Sequence, residues 1–221
     1  MPASDPQSDV TGVVIAGGRS SRMGHSEKAL LDLAGAPMLG HVIARLRPQV
    51  GRVIINANGD PSRFAAFGLP VVDDRMEGQS GPLAGLQAGL EWARRETPDA
   101  RFIASVAADT PFIPDDLVAR LLTAIEDTGA TSAIASSGGA WTPVVGVWSV
   151  ALADALADAL QEGVRAVHHF VEAQGSAVVE FPHREIGSER VDPFFNVNTP
   201  ADLEKARALL AAHGAAETAR G

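Results

Sequence analysis

A three-layer α/β fold with a mainly parallel central sheet is what this sequence predicts. Short β-branched runs alternate with longer amphipathic stretches along nearly the whole chain, the pattern that builds βαβ units. A glycine pair directly follows the first such run, and aspartates or asparagines close several later ones. Ligands of open α/β sheets gather at the carboxyl ends of the strands, so these residues mark one edge.

The strand candidates are 12–16 (GVVIA), 52–57 (RVIINA), 69–74 (LPVVDD), 101–108 (RFIASVAA), 130–135 (ATSAIA), 144–150 (VVGVWSV) and 176–181 (SAVVEF). Helices are expected near 37–47, 82–96, 114–127, 150–162, 164–174 and 199–212. Pro82 opens one of them, with Leu83, Leu86, Leu90 and Ala93 spaced for a single buried face. Pro114 is read as opening another, where Asp115 and Asp116 suit the positive end of a helix. Thr199, Pro200 and Asp202 read as an N-cap, a first-turn proline and a capping carboxylate. The domain reading is a flexible N-terminal tail over 1–10, one domain over 11–212 and a flexible C-terminal tail over 213–221. The acidic stretch 183–192 is expected to be a surface loop.

Composition narrows the function. Of 221 residues, 46% are hydrophobic and 20% charged, which suits a packed globular core. Net charge is −9, so nucleic acid and anionic membrane are disfavoured as partners. Cysteine is absent, which removes disulfides, thiolate nucleophiles and Cys-based zinc sites and fits a reducing compartment. The start of the chain, with Pro2 and Pro6, lacks the basic and apolar regions of a signal peptide, and no apolar run approaches the ~18 residues of a membrane span. The expectation is a cytoplasmic protein.

The first strand candidate ends at Ala16 and is followed by Gly17 and Gly18. Adjacent glycines let backbone N–H groups approach an anion, and Arg22 and Lys28 add charge-assisted donors for a triphosphate. The spacing matches neither GxxxxGK[ST] nor GxGxxG, so a simple strand-to-loop turn is the competing reading. Asp109 closes the strand 101–108 and is the natural ligand for Mg²⁺, which takes one or two carboxylates plus phosphate oxygens. Asp73 and Asp74 close another strand, though aspartate also caps turns. Asn56 and Asn58 end a third. Asn56 lies within an apolar run and needs a partner, whereas Asn58-Gly59 also reads as a turn.

Together these residues resemble the molybdenum cofactor guanylyltransferase family, within the nucleotidyltransferase superfamily and its Rossmann-like fold. The resemblance runs from about Thr11 to Leu210. It is strongest in VVIAGGRSSRMGHSEKALLDLAGAPMLGHV, and INAN (55–58), VVDD (71–74), GPLAG (81–85), ADTPF (108–112), TPVVGVW (142–148) and FFNVNTPADL (194–203) follow in order. It implies that Ile15, Ala16 and Gly17 line a guanosine pocket, that Lys28 contacts phosphates, that Asn56 and Asp74 hold the nucleoside, and that Asp109 binds Mg²⁺. Arg165, Asn196 and Asn198 match positions associated with the pterin substrate. Gly18 resembles the GTP-using branch, where relatives that use CTP more often carry alanine before a single glycine. Ile15, Glu27 and Thr142 stand where the family often has leucine, aspartate and histidine.

The implied reaction is Mg²⁺-dependent transfer of GMP from GTP to the phosphate of molybdopterin, with release of pyrophosphate. Molybdoenzyme chaperones or other cofactor-biosynthesis proteins would be the receiving partners. A phosphate monoester acceptor is largely dianionic at pH 7, so no general base is needed. Arg22, Lys28 and Asp109 are then the catalytic set, acting by positioning and charge neutralisation. A sister transferase using CTP or another phosphate acceptor, and a non-catalytic nucleotide-binding module, remain the alternatives. His41, His168 and His169 lack zinc-site spacing and are read as packing or surface residues. Trp141, Trp148, Phe194 and Phe195 could wall a pterin or simply pack.

Overall fold

The computed structural model describes residues 9–17, 28–74, 81–187 and 189–218, with side chains through Ala212. Its centre is a seven-stranded sheet formed by β1 (Val10–Ile15), β4 (Arg52–Asn56), β5 (Val71–Val72), β6 (Phe102–Ala107), β7 (Ser132–Ser137), β8 (Ala140–Ser149) and β9 (Ala177–Glu180). These correspond one for one to the expected runs. The order is β5-β4-β1-β6-β8-β7-β9. Strands β5, β4, β1 and β6 run parallel, β8 runs antiparallel to both β6 and β7, and β9 is parallel to β7. Between them lie the short hairpin β2 (Asp32–Leu33) and β3 (Ala36–Pro37), and the helices α1 (Met38–Leu46), α2 (Pro82–Glu96), α3 (Leu117–Thr128), α4 (Ala153–Gln161) and α5 (Val167–Gln174). A second small pair, β10 (Arg184–Ile186) and β11 (Glu189–Val191), precedes α6 (Pro200–Thr218).

Both faces of the sheet are covered, which is why β1 reads as a continuous apolar run with every residue buried. Val10 and Val14 point into the core shared with α1 and α3, while Val13 and Ile15 point into the one shared with α2, α4 and α5. A third cluster forms where Leu203, Ala206 and Leu209 of α6 pack on Leu33, Met38, Phe112, Val191 and Val197. That cluster anchors the last helix against the loop after β6.

Four local expectations change. Val10, 1% exposed, is the first residue of β1, and the Asp9 carbonyl accepts from the amides of Arg101 and Phe102, so the sheet takes in the last residues of the stretch assigned to a tail. Helix α6 reaches Thr218, into 213–221, because its alanine-rich end contains no proline to stop it. The acidic 183–192 stretch contains an antiparallel pair rather than a bare loop, with Val191 buried in the α6 cluster. Helix α3 begins at Leu117, not Pro114. Its N-terminus is held by Gln49, 5% exposed, whose Oε1 accepts from the Val118 amide at 3.0 Å while its Nε2 donates to the carbonyls of Pro114 and Arg45, both at 2.9 Å. A buried side chain after α1 therefore caps α3, with Asp115 and Asp116 lying just before its first turn.

Candidate active site

The site grows from four strand ends. The amide of Ala16 donates to the Asn56 carbonyl at 2.8 Å, and that of Ala108 donates to the Ile15 carbonyl at 3.0 Å. The ladder thus extends one residue past β1 and β6 before Gly17 and Asp109 leave the sheet. Because the strand order is β5-β4-β1-β6, their following residues lie in the spatial series Asp74, Asn56, Gly17, Asp109. This carboxyl edge is where parallel strands present ligand-binding loops.

At the β6 end, the Lys28 ammonium meets three oxygens. It donates to Asp109 Oδ2 at 2.5 Å, to Asn198 Oδ1 at 2.7 Å and to Asn196 Oδ1 at 3.3 Å. Both side chains of the ion pair are largely buried, at 14% and 23% exposure. The asparagines come from the segment before α6. It is docked here by the Val197 amide, which donates to the Asp109 carbonyl at 3.0 Å. The capping expectation for α6 holds: the amides of Asn198 and Thr199 donate to Asp202 Oδ2, and the Asp202 amide returns a bond to Thr199 Oγ1. A hydrogen bond from the Thr199 side chain, those two amides and the charge of Lys28 hold the Asp202 carboxyl below its ordinary value.

At the β4–β5 end, the Asp74 carboxylate is gripped by two asparagines. Asn56 Nδ2 donates to Asp74 Oδ1 at 2.9 Å and to the Val72 carbonyl at 3.1 Å. Asn58 Nδ2 donates to Asp74 Oδ2 at 2.7 Å, and the Asp74 amide donates back to Asn58 Oδ1 at 2.8 Å. Asn56 is buried, and its Oδ1 faces Gly85 on α2 so closely that a Cβ there would collide with it. Asn56 therefore positions the carboxylate, and Asp74, half-buried, is the group turned toward solvent. Sequence reasoning ranked Asn58 below Asn56. The signal that could have raised it was its two-residue spacing from Asn56, which keeps both side chains on one side of an extended chain.

Beside the β1 and β6 ends lies a cavity of about 200 Å³ lined by Ile15, Ala16, Lys28, Pro82, Asp109 and Asn196, among others. Asp109 Oδ1 is buried and has no hydrogen-bond partner among the described residues. A lone acceptor on a single carboxylate fits a hard cation that draws its other ligands from phosphate and water. No cluster of three or more His, Asp or Glu side chains suited to a metal occurs among the described residues.

Of the expected site residues, Ile15, Ala16, Lys28, Asp109 and Asn196 line this cavity, and Asn198 joins through Lys28. Gly17 lies close to Asn56 and Asn58. Arg165 is exposed, and its Nη1 donates to the carbonyls of Leu160 (2.7 Å) and Val164 (2.9 Å) at the end of α4. Gly18 and Arg22 lie outside the described residues. His41 Nε2 donates to the Leu33 carbonyl at 2.6 Å, tying α1 to β2 as a packing residue. Trp148 and Phe194 are buried, the latter edge-on to Phe181, and Phe195 sits beside Phe112. Trp141 alone of the four aromatics stays substantially open, at 45% exposure.

Comparison with known proteins identifies the family and the fold. Residues 12–178 match the family model described as MobA-like NTP transferase domain. A molybdenum cofactor guanylyltransferase from Mesorhizobium japonicum is 45% identical over 91% of this chain and 96% of its own length. One from Bradyrhizobium is 46% identical over 91% and 93%. The crystal structure of molybdopterin-guanine dinucleotide biosynthesis protein A from Archaeoglobus fulgidus superimposes with a TM-score of 0.67 at 22% identity, covering 91% of this chain and 98% of that one. No helix among the described residues is long and apolar enough to cross a membrane. Matched by these relatives over more than nine-tenths of both chains, the chain belongs to the molybdenum cofactor guanylyltransferase family of nucleotidyltransferases.

Proposed function

We propose that this enzyme transfers GMP from GTP to the phosphate of molybdopterin, releasing pyrophosphate, and that Mg²⁺ supports the reaction. The observation that carries the reading is the convergence on Lys28 of Asp109 from β6 and Asn196 and Asn198 from before α6. One ammonium there joins the nucleotide loop to the segment expected to face the acceptor. Asp109 would hold Mg²⁺ through Oδ1, and the ion would neutralise charge on the nucleotide's phosphate oxygens.

The chain's own groups account for the rest. The acceptor phosphate is already a dianion near pH 7 and needs no base. Lys28 orients the triphosphate and offsets charge on the leaving pyrophosphate, aided by Arg22 and the amides of Gly17 and Gly18. Asp74 supports guanine as the base. An ionised carboxylate only accepts hydrogen bonds, and guanine presents adjacent N–H donors where cytosine presents an acceptor beside its amino group. Its two asparagine clamps prevent the carboxylate from turning away. Asn196 and Asn198, which meet Lys28, form the acceptor side, and Arg165, held at the end of α4, is assigned to it by the family resemblance alone. A cysteine-free chain suits the cytoplasm, where molybdoenzyme chaperones or other cofactor-biosynthesis proteins would take the product.

The test is pyrophosphate release with molybdopterin as acceptor and GTP, CTP or ATP as donor, with and without Mg²⁺. GTP is expected to support turnover at least tenfold better than CTP, the size of one well-made base contact. Equal turnover with CTP would sink the guanine assignment. Full activity in chelator would sink the metal.

A further inference from the structure

We propose that Trp141 is the stacking face for the flat ring system of the acceptor, and so a specificity-determining residue outside the nucleotide half of the site. The inference rests on the proposed pterin acceptor and gives its ring a place.

Trp141 and Val178 are the exposed large apolar side chains among the described residues. Trp141 lies near the start of β8, and because β8 runs against β6, its start projects past the carboxyl end of β6 where Asp109 stands. The face it occupies follows from the register. Along β7, Ile134 packs into the core under α2, α4 and α5, and Ala135 packs into the opposite one. Ser136 returns to the α2 side, and its cross-strand partner Trp141 shares that side. The pairing shifts between Ile134 and Ala135, from partner Gly146 to partner Thr142, so residues 143–145 bulge out of the ladder. That bulge puts Trp141 on the same side as Val144, which lines the cavity beside Lys28 and Asp109. Without it, strict alternation would send residues three apart to opposite faces.

Trp141 therefore stands three residues beyond the cavity wall, at most roughly 10 Å along the strand. A phosphate placed at Lys28 and a ring carried on a short arm would span that gap. The platform beneath is braced. Gly138 and Gly139 have φ of 57° and 79°, the paired left-handed conformation of a tight hairpin. Ser136 Oγ donates to Glu180 Oε2 at 2.6 Å, and Glu180 also accepts from the Gly138 and Gly139 amides. An indole on a braced hairpin presents a large flat surface at little entropic cost.

Fluorescence gives a readout independent of turnover. The chain has three tryptophans, and Trp92 and Trp148 are buried, so quenching by an added ring compound reports chiefly on Trp141. A 6-substituted pterin is expected to quench the wild type, and Trp141→Phe to remove most of that quenching. With molybdopterin and GTP, Trp141→Ala should raise KM for the acceptor about tenfold, the size of one stack, and leave KM for GTP unmoved. Trp141→Phe should restore most of that loss. An unchanged acceptor KM in Trp141→Ala overturns the proposal, as does unquenched wild-type emission. So does a wild-type dimer that Trp141→Ala dissociates with acceptor binding intact, since the indole would then face a second copy. If pterin quenches through Trp141 while GTP and molybdopterin give no pyrophosphate, the ring site stands and the assigned reaction falls.

Discussion

The two ends of the cleft hold their carboxylates in opposite ways. Asp74 at the β5 end is fixed by neutral amides of Asn56 and Asn58, each oxygen taking one N–H. Asp109 at the β6 end is fixed by a full charge, and that charge also answers to two asparagine oxygens. Amide clamps leave the carboxylate's negative charge uncompensated and available to donors on a base. An ion pair spends that charge internally, so a phosphate or cation entering there must reorganise Lys28. On the proposed reading, one end is a fixed template and the other must change partners when substrate enters.

The largest effect should come from breaking the charged end. Lys28→Ala and Asp109→Ala are each expected to lower kcat by about 10²–10³, the range for losing one preorganised charge-stabilising contact. Stopped-flow or steady-state pyrophosphate release checks this. Near-normal kcat in both variants, with ordinary Mg²⁺ dependence, would refute the assignment. Removing either member leaves the other charge partly buried without its counter-ion, so the double variant should cost less than the sum of the singles.

A smaller effect is expected at the templated end. Asp74→Asn keeps the shape but replaces an acceptor-only group, and should cut the preference for GTP over CTP by about 10–100-fold. Asn58→Ala removes one of two clamps and should raise KM for GTP only a few-fold, because Asn56 still holds Oδ1. If Asn58→Ala matched Asp74→Asn, the clamps rather than the carboxylate would be reading the base.

The smallest effect concerns the cap that carries Asn198. Asp202 has a folded pKa below its ordinary value, so it stabilises α6 at any pH above about 4 and loses that contribution as pH falls through the folded value. Thr199→Ala, which removes the reciprocal bond, should cost about 1 kcal/mol in thermal or denaturant unfolding at pH 7. The difference from wild type should shrink below pH 4. A difference constant down to pH 3 would show that the cap does not act through the Asp202 charge.

The carboxyl edge of the sheet was legible in the sequence because parallel strands place their following residues together, and Gly17, Asn56, Asp74 and Asp109 each follow or close a recognisable apolar run. What escaped depends on partners far along the chain. Gln49 reads as an ordinary polar residue after a helix, and only its contacts with Pro114 and Val118 make it a cap. Asn58 reads as the first half of an Asn-Gly turn until Asp74 is brought beside it. The direction of Arg165 toward the end of α4 follows from its local backbone and carries no periodic signal. The face occupied by Trp141 depends on a register shift, which alternation alone does not reveal.

Lys28 finds Asn198 across 170 positions of chain. Ribosomal synthesis delivers Lys28 early and its asparagine partners only after every strand of the seven-stranded sheet has emerged. A nascent or proteolytically clipped chain ending before Val197 therefore carries the Asp74 template without the finished phosphate end.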